Sequence, residues 1–145
     1  MAYWRLHYHL VWATYKRESM IDRERERVIY GTLYQKAKEL GLIIHAIGNV
    51  EDHLHTVVSI PPKIATADCV RHLKGASSHA VNQTLKPECE FKWQEGYGAI
   101  SIGERSLPNV IAYASHQKQH HRNGTEIAFY ERMAEEDDGP TIQPA

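Results

Sequence analysis

Two apolar, β-branched-rich runs, Leu42 to Val50 and His53 to Ile60, are separated by only two polar residues, Glu51-Asp52. Runs of that length and composition read as strands, and so short a polar break suits a hairpin turn. Pro61-Pro62 end the second run, because proline cannot donate to a strand ladder. An antiparallel pair in mid-chain needs its apolar surface covered, so the flanking segments have to supply strands and helices around it.

They do so in a regular order. From Arg5 to Ala13, Leu6, Tyr8, Leu10 and Trp12 alternate with Arg5, His7 and His9, the period of a half-buried strand. Ser19 offers a helix cap with Asp22 three residues on, and Ile29, Leu33, Ala37 and Leu40 recur at helical spacing until Gly41. After the hairpin, Thr66 can cap a helix whose apolar side is Val70, Leu73, Ala80 and Val81. Pro87 breaks the chain, 91–96 looks irregular, and 97–102 alternates again as a strand. A last helix opens at Ser106 with Pro108 in its first turn, where a missing amide hydrogen costs nothing, and stops at Asn123-Gly124. Strand, helix, strand, strand, helix, strand, helix implies an α+β fold with helices covering an antiparallel sheet.

The 145 residues fit one domain, which at that size buries roughly 68–70% of its unfolded surface and folds without staples. We expect that domain over residues 1–130 and an acidic, flexible C-terminal tail over 131–145, where Glu131, Glu135, Glu136, Asp137 and Asp138 crowd together. Cys69 and Cys89 stand too far apart for a CxxC motif, and no apolar run approaches the roughly 20 residues of a membrane span. A cytoplasmic protein with reduced thiols and no membrane partner is the expectation. The 17 Lys and Arg against 18 Asp and Glu give no global basic field, so composition alone does not point to nucleic acid. The compositional oddity is 10 histidines, and imidazole is a common metal ligand that titrates near neutrality.

His53 and His55 flank Leu54 on the second hairpin strand. Alternation puts both rings on one face with α-carbons roughly 6.5 to 7 Å apart, close enough to share one metal ion. Packing or hydrogen bonding alone would also account for such a pair. Tyr113 and Gln117, four apart on the last helix, present a phenol and an amide oxygen on one face, although Tyr113 could equally belong to the buried edge beside Val110 and Ala114. A tyrosine hydroxyl with a pKa near 10 is a poor nucleophile toward a negatively charged phosphodiester, and a divalent ion bound by two imidazoles and an amide oxygen answers part of that problem. No GxxxxGK[ST] loop for a nucleoside triphosphate is present, and resealing a phosphotyrosine bond needs none. His120, His121 and Arg122 near the end of that helix, Arg71, Lys74 and Ser78 on the middle helix, and Lys16-Arg17 after the first strand are either solvated faces or phosphate contacts.

Read together, YHLVWATYKR, EDHLHTVVSIPPK, RHLKGASS, GYGAISIG and VIAYASHQKQHHR resemble the single-tyrosine HUH transposases of insertion sequences, of the insertion sequence 200/605 type and related to the REP-associated tyrosine transposases. HUH denotes His, a bulky hydrophobic residue, His, here His53-Leu54-His55. The resemblance implies a ferredoxin-like/RRM-like antiparallel sheet flanked by helices, with Tyr113 as nucleophile and His53, His55 and Gln117 as ligands of Mg2+ or Mn2+. It also implies single-stranded DNA with hairpin-bearing ends as substrate, and a homodimer in which Tyr113 acts in trans. It favours DNA contact for the basic groups. Two other readings use the same residues: a non-catalytic nucleic-acid-binding module, and a phosphoesterase that activates water and does not need Tyr113. His7-Tyr8-His9 comes near a second paired-histidine motif and is read as structural.

Overall fold

The expected hairpin forms β2 (Ile43–Asn49) and β3 (His53–Ser59), with Gly48 opposite His55 and Asn49 opposite Leu54. The computed structural model describes residues 1–142 of the chain. β1 (His7–Ala13) pairs antiparallel with the other edge of β3, setting Val11 against His55 and Ala13 against His53, and β4 (Gly98–Ile102) pairs antiparallel with β1. The sheet order is β2-β3-β1-β4. Helix α1 (Arg23–Leu40) joins β1 to β2, and α2 (Thr66–Leu85) joins β3 to β4. β3 is thus inserted between β1 and β2, which is the split β-α-β arrangement of a ferredoxin-like sheet and the α+β class expected from the element order.

Two of the expected caps sit elsewhere. The helix after β1 is capped by Asp22, whose side chain accepts from Arg25 N at 2.9 Å, and not by Ser19. Met20 N and Ile21 N both donate to Glu51 O, so the chain stays tied to the β2–β3 turn until Asp22. In α2 the cap position falls on Ala65, whose carbonyl accepts from Cys69 N, and Thr66 is the first helical residue.

One core lies between the sheet and α1 and α2. Leu10 and Trp12 of β1 and Leu54 and Val58 of β3 meet Ile29, Leu33, Val70 and Leu73, all buried. The opposite sheet face carries a second, smaller core in which Ala46, Val57 and Ile102 meet Val110 and Ala114. β1 is therefore covered on both sides, where its alternation suggests a half-buried strand. Its polar-looking positions His7 and His9 are buried under this second layer.

That second layer is the last helical segment, and it is broken where one helix is expected. Helix α3 (Leu107–Ser115) ends at His116, whose φ of −109° and ψ of 34° leave the helical region, and α4 (Gln117–Asn123) starts afresh. The His116 ring Nδ1 lies 2.7 Å from the Ala112 carbonyl, which also accepts from His116 N. A short α5 (Ala128–Glu131) follows, after which Ala134 forms an isolated bridge with Tyr97. Of the segment assigned to an acidic tail, residues 143–145 lie outside the described residues.

Gly48 is where α3 touches the sheet. A Cβ placed on it would lie 1.6 Å from the Ala114 carbonyl oxygen and 3.3 Å from Gln117 Cγ. Backbone meets backbone there, so no side chain can turn away to make room. Gly48→Ala should therefore destabilise the fold by about 1–3 kcal/mol, the usual range for forced overpacking. A urea midpoint equal to that of the unaltered protein would show that α3 does not rest on β2.

Candidate active site

Alternation along β3 sends Leu54 and Val58 into the main core and His53, His55, Val57 and Ser59 to the other face, beneath α3 and α4. His53 and His55 are both buried, with ring centroids 5.1 Å apart. Each ring has its Nδ1 engaged by a neighbour. His53 Nδ1 is 2.7 Å from Asp52 Oδ1, and His55 Nδ1 is 2.7 Å from His9 Nε2. Fixing Nδ1 fixes the ring plane and turns both Nε2 atoms the same way, as partners behind metal-binding imidazoles do.

The Nε2 atoms meet the Glu131 carboxylate, at 2.9 Å from His53 and 3.1–3.2 Å from His55. His121 of α4 reaches the same carboxylate with its Nε2 at 3.2 Å, and its ring lies 4.7 Å from that of His53. Tyr113 donates its hydroxyl hydrogen to Glu131 Oε2 at 2.6 Å and accepts from Ile127 N at 2.9 Å. Its ring centroid is 5.9 Å from that of His55, so phenol and imidazoles share one site within a single chain. Gln117, the first residue of α4, donates through Nε2 to Tyr113 O at 2.9 Å. Its Oε1 is buried with no hydrogen-bond partner among the described residues. His53, His55, His121 and Glu131 place ligand atoms within 4.8 Å of one another, a group that could hold a metal ion. The orphaned Gln117 oxygen and the paired Nε2 atoms fit the same purpose, since unpaired buried polar atoms are costly unless something answers them.

Burial and charge pull these groups apart electrostatically. Burial alone would lower the His53 pKa, but hydrogen bonds with Glu131 and Asp52 more than offset it and hold it above the usual value. At His55 burial wins over the bond with Glu131 and holds its pKa below the usual value. His9, behind it, is pushed down to about 3 by burial and by the neighbouring His55. Burial works to raise Glu131, yet its bonds with His53, His55 and Tyr113 hold it well below the ordinary carboxylate range. Tyr113 is pushed up to about 12, by burial first and by the Glu131 carboxylate second.

The basic groups singled out in the sequence fall into three places. Lys16 and Arg17 sit in a 3-10 turn after β1 with positive φ, and Arg17 approaches Asp52, which in turn holds His53. Arg71 pairs with Asp68, Ser78 donates to Gly75 O, and Lys74 donates to Gln94 O and Gly96 O, which fastens α2 to the loop before β4. His120 stacks at 4.7 Å on Tyr113, and Arg122 is exposed. His121 belongs with the imidazole cluster. A cleft of about 440 Å³ opens along the outer side of Tyr113, lined by Asn109, His116, Gln119 and His120. Sequence reasoning missed Glu131 and Asp52 and left His9 as structural. Only adjacency to His53 marked Asp52, and nothing in the pattern around Glu131 separates it from its acidic neighbours.

Residues 2–117 match the family model described as IS200-like transposase. The chain belongs to that family. Across 132 residues it is 24% identical to the transposase for insertion sequence element IS200 of Salmonella typhimurium, covering 87% of this chain and 86% of that one. Against the ISDra2 transposase TnpA of Deinococcus radiodurans the identity is 26% over 120 residues, covering 79% and 85%. Two solved structures share the fold. One is a Deinococcus radiodurans R1 protein described as a transposase, with a TM-score of 0.64 at 24% identity over 86% of this chain and 95% of that one. The other is a REP-associated tyrosine transposase bound to a REP hairpin, with a TM-score of 0.62 at 13% identity over 87% and 76%. An IS200-like transposase has to cut and join DNA strands, so a nucleophile and a phosphate-binding centre are what its site must supply. No helix among the described residues is long and apolar enough to cross a membrane.

The opposing shifts at His53 and Glu131 set a pH window for the metal-free protein. His53, raised above 6.5, contributes stability that is complete below that value and lost as pH rises through its folded-state pKa. Glu131, lowered below 4.5, contributes stability present above that value and lost as pH falls through its folded-state pKa. The advantage of the unaltered protein over Glu131→Gln should peak between about pH 4.5 and 6.5 and shrink on both sides in thermal unfolding with chelator present. A difference constant from pH 4 to 9 would exclude this ion pair as its source.

Proposed function

We propose that this transposase cleaves and rejoins single-stranded DNA at insertion-sequence ends through a 5′-phosphotyrosine bond on Tyr113, with Mg2+ or Mn2+ held by His53, His55 and Gln117. The observation that carries the proposal is convergence. The Tyr113 hydroxyl and the Nε2 atoms of both HUH histidines point at a single carboxylate, with the buried, unpaired Gln117 oxygen on the same helical segment. The two Nε2 atoms face one point, as ligands of a single ion must, and the Tyr113 hydroxyl, already aimed at an anionic oxygen beside that point, is set toward a scissile phosphate held by the ion.

In cleavage the Tyr113 oxygen attacks phosphorus, the bond to the 3′-oxygen breaks, and the tyrosine proton is lost as the departing 3′-oxygen gains one. The 5′ end stays on the enzyme until an incoming 3′-hydroxyl reverses the step, so no external energy source is required. A bound divalent ion would orient the phosphate and neutralise charge as it builds. With a pKa of about 12, Tyr113 is neutral at physiological pH and must lose its proton as the new bond forms. The Ile127 amide, donating to the Tyr113 oxygen, steadies charge that develops there. His120, Lys16, Arg17 and Arg122 are the proposed phosphate contacts outside the centre, and the cleft beside Tyr113 is where the strand enters.

Denaturing electrophoresis with labelled single-stranded DNA from the element's ends tests the chemistry. A covalent band should form only with Mn2+ or Mg2+ and vanish in Tyr113→Phe. Cleavage persisting in that variant would make water the nucleophile, and binding without cleavage under any metal would leave a non-catalytic binding module. The homodimer with Tyr113 in trans keeps these side chains and changes only which copy supplies α3 and α4. Mixing inactive Tyr113→Phe with inactive His53→Ala should then restore the adduct, whereas a mixture as dead as its parts would place the tyrosine in cis.

A further inference from the structure

Glu131 is the group on which the imidazoles converge, and the function proposed above leaves it without a task. Its position does not depend on the side chain alone. Tyr97 N donates to Ala134 O and Ala134 N to Tyr97 O, so the strand-like segment after α5 is pinned against the start of β4. A Cβ on Gly98 would lie 2.0 Å from Arg132 O, and one on Gly96 would lie 2.1 Å from Ala134 O. That close approach exists only because both residues lack one. Tyr130 adds its ring against His9 at 5.1 Å and Tyr113 at 5.3 Å. Backbone pairing and an aromatic neighbour thus hold the carboxylate in the site.

We propose that Glu131 is itself a ligand of the divalent ion, forming with His53 and His55 a set of two imidazoles and one carboxylate. The inference rests on the metal-dependent reading above. Two ligands that each lie about 2.1 Å from one ion in octahedral or tetrahedral geometry are about 3.0–3.4 Å apart. The contacts from Oε1 to His53 Nε2 and His55 Nε2 are 2.9 and 3.2 Å. Chemistry argues the same way. Two neutral imidazoles and an amide bring no charge to a dication and favour softer metals, whereas a carboxylate brings one negative charge and suits Mg2+ and Mn2+. Such a triad leaves positions for the Gln117 oxygen and the phosphate. His121, steered by Glu126 at its Nδ1, grips the carboxylate from the side and is a positioning residue. The second oxygen of Glu131 holds the Tyr113 hydroxyl, so one carboxylate sets both the ion and the nucleophile.

Manganese binding without DNA tests this, read by the loss of the free Mn2+ signal in electron paramagnetic resonance. Removing an outer-sphere partner already costs 10–100-fold in affinity. Glu131→Gln should therefore weaken Mn2+ binding by at least about tenfold, with Glu131→Asp recovering part of the loss. Unchanged or tighter binding in Glu131→Gln would overturn the proposal and make the carboxylate an occupant of the phosphate's place. Infrared difference spectra of the unaltered protein give a reading that no variant can spoil. One carboxylate stretch should shift when Mn2+ is added, and the absence of any shift would overturn the assignment. His53→Ala separates the two ideas: if it still binds Mn2+ as tightly, the HUH metal centre fails and Glu131's role with it, whereas a defect in His53→Ala but not in Glu131→Gln removes Glu131 alone.

Discussion

Everything at this site hangs on β3 being an inner strand covered on both faces. Seven consecutive buried residues leave its two-residue period nothing to do but divide side chains between two layers. Leu54 and Val58 join the main core, and His53 and His55 go to the other layer, where imidazoles are out of water and must find polar partners. Asp52 and His9 supply those partners at Nδ1, and what remains is a pair of Nε2 atoms with a common direction. A one-residue slip of register would exchange the two sets and place the imidazoles among leucines and tryptophan.

The layer that completes the site is thin, and its geometry is controlled by glycine. Gly48 lets α3 settle against β2, which lowers Tyr113 and Gln117 to the level of the histidines. Gly96 and Gly98 do the same for the segment carrying Glu131 at the opposite edge of the sheet. Beyond the break at His116, Gln117 and His121 lie four apart on α4, so both turn inward although they belong to a helix of only 7 residues. Val110 and Ala114 anchor this layer on Ala46, Val57 and Ile102, and polar contacts converging on Glu131 complete it. In a metal-free chain the same contacts leave His53 with a raised pKa and Glu131 with a lowered one, the signature of an ion pair in a half-dry setting.

Family membership fits this economy. The chain is an IS200-like transposase, and the fold here offers the Tyr113 phenol, the two oriented imidazoles of His53 and His55 and the buried Gln117 amide oxygen at one end of a small sheet. The main core beneath α1 and α2 is built of Leu10, Trp12, Leu54 and Val58 against Ile29, Leu33, Val70 and Leu73, and holds β1 and β3 in register.

The sequence by itself determined the element order, and with it the sheet: a two-residue hairpin break, two helices at clear apolar spacing and a final short strand leave few antiparallel arrangements open. It also determined that His53 and His55 share a face, because that follows from local period alone, whereas Tyr113 and Gln117, read as one helix, fall on either side of the break at His116 and meet through the bond from Gln117 Nε2 to the Tyr113 carbonyl. What it did not show is what depends on distant segments meeting. Ser19 gave way to Asp22 as cap because the β2–β3 turn captures Met20 and Ile21, and the last helix broke at His116. His9 became the support of His55 only through the β1–β3 register, and His121 left the row of basic residues for the site only where α4 meets His53 and Glu131. Glu131 was decided by tertiary structure altogether. Its place comes from backbone pairing between Tyr97 and Ala134, 37 residues apart in the chain, and from two glycines whose missing side chains leave room for it, neither of which has a local period to read.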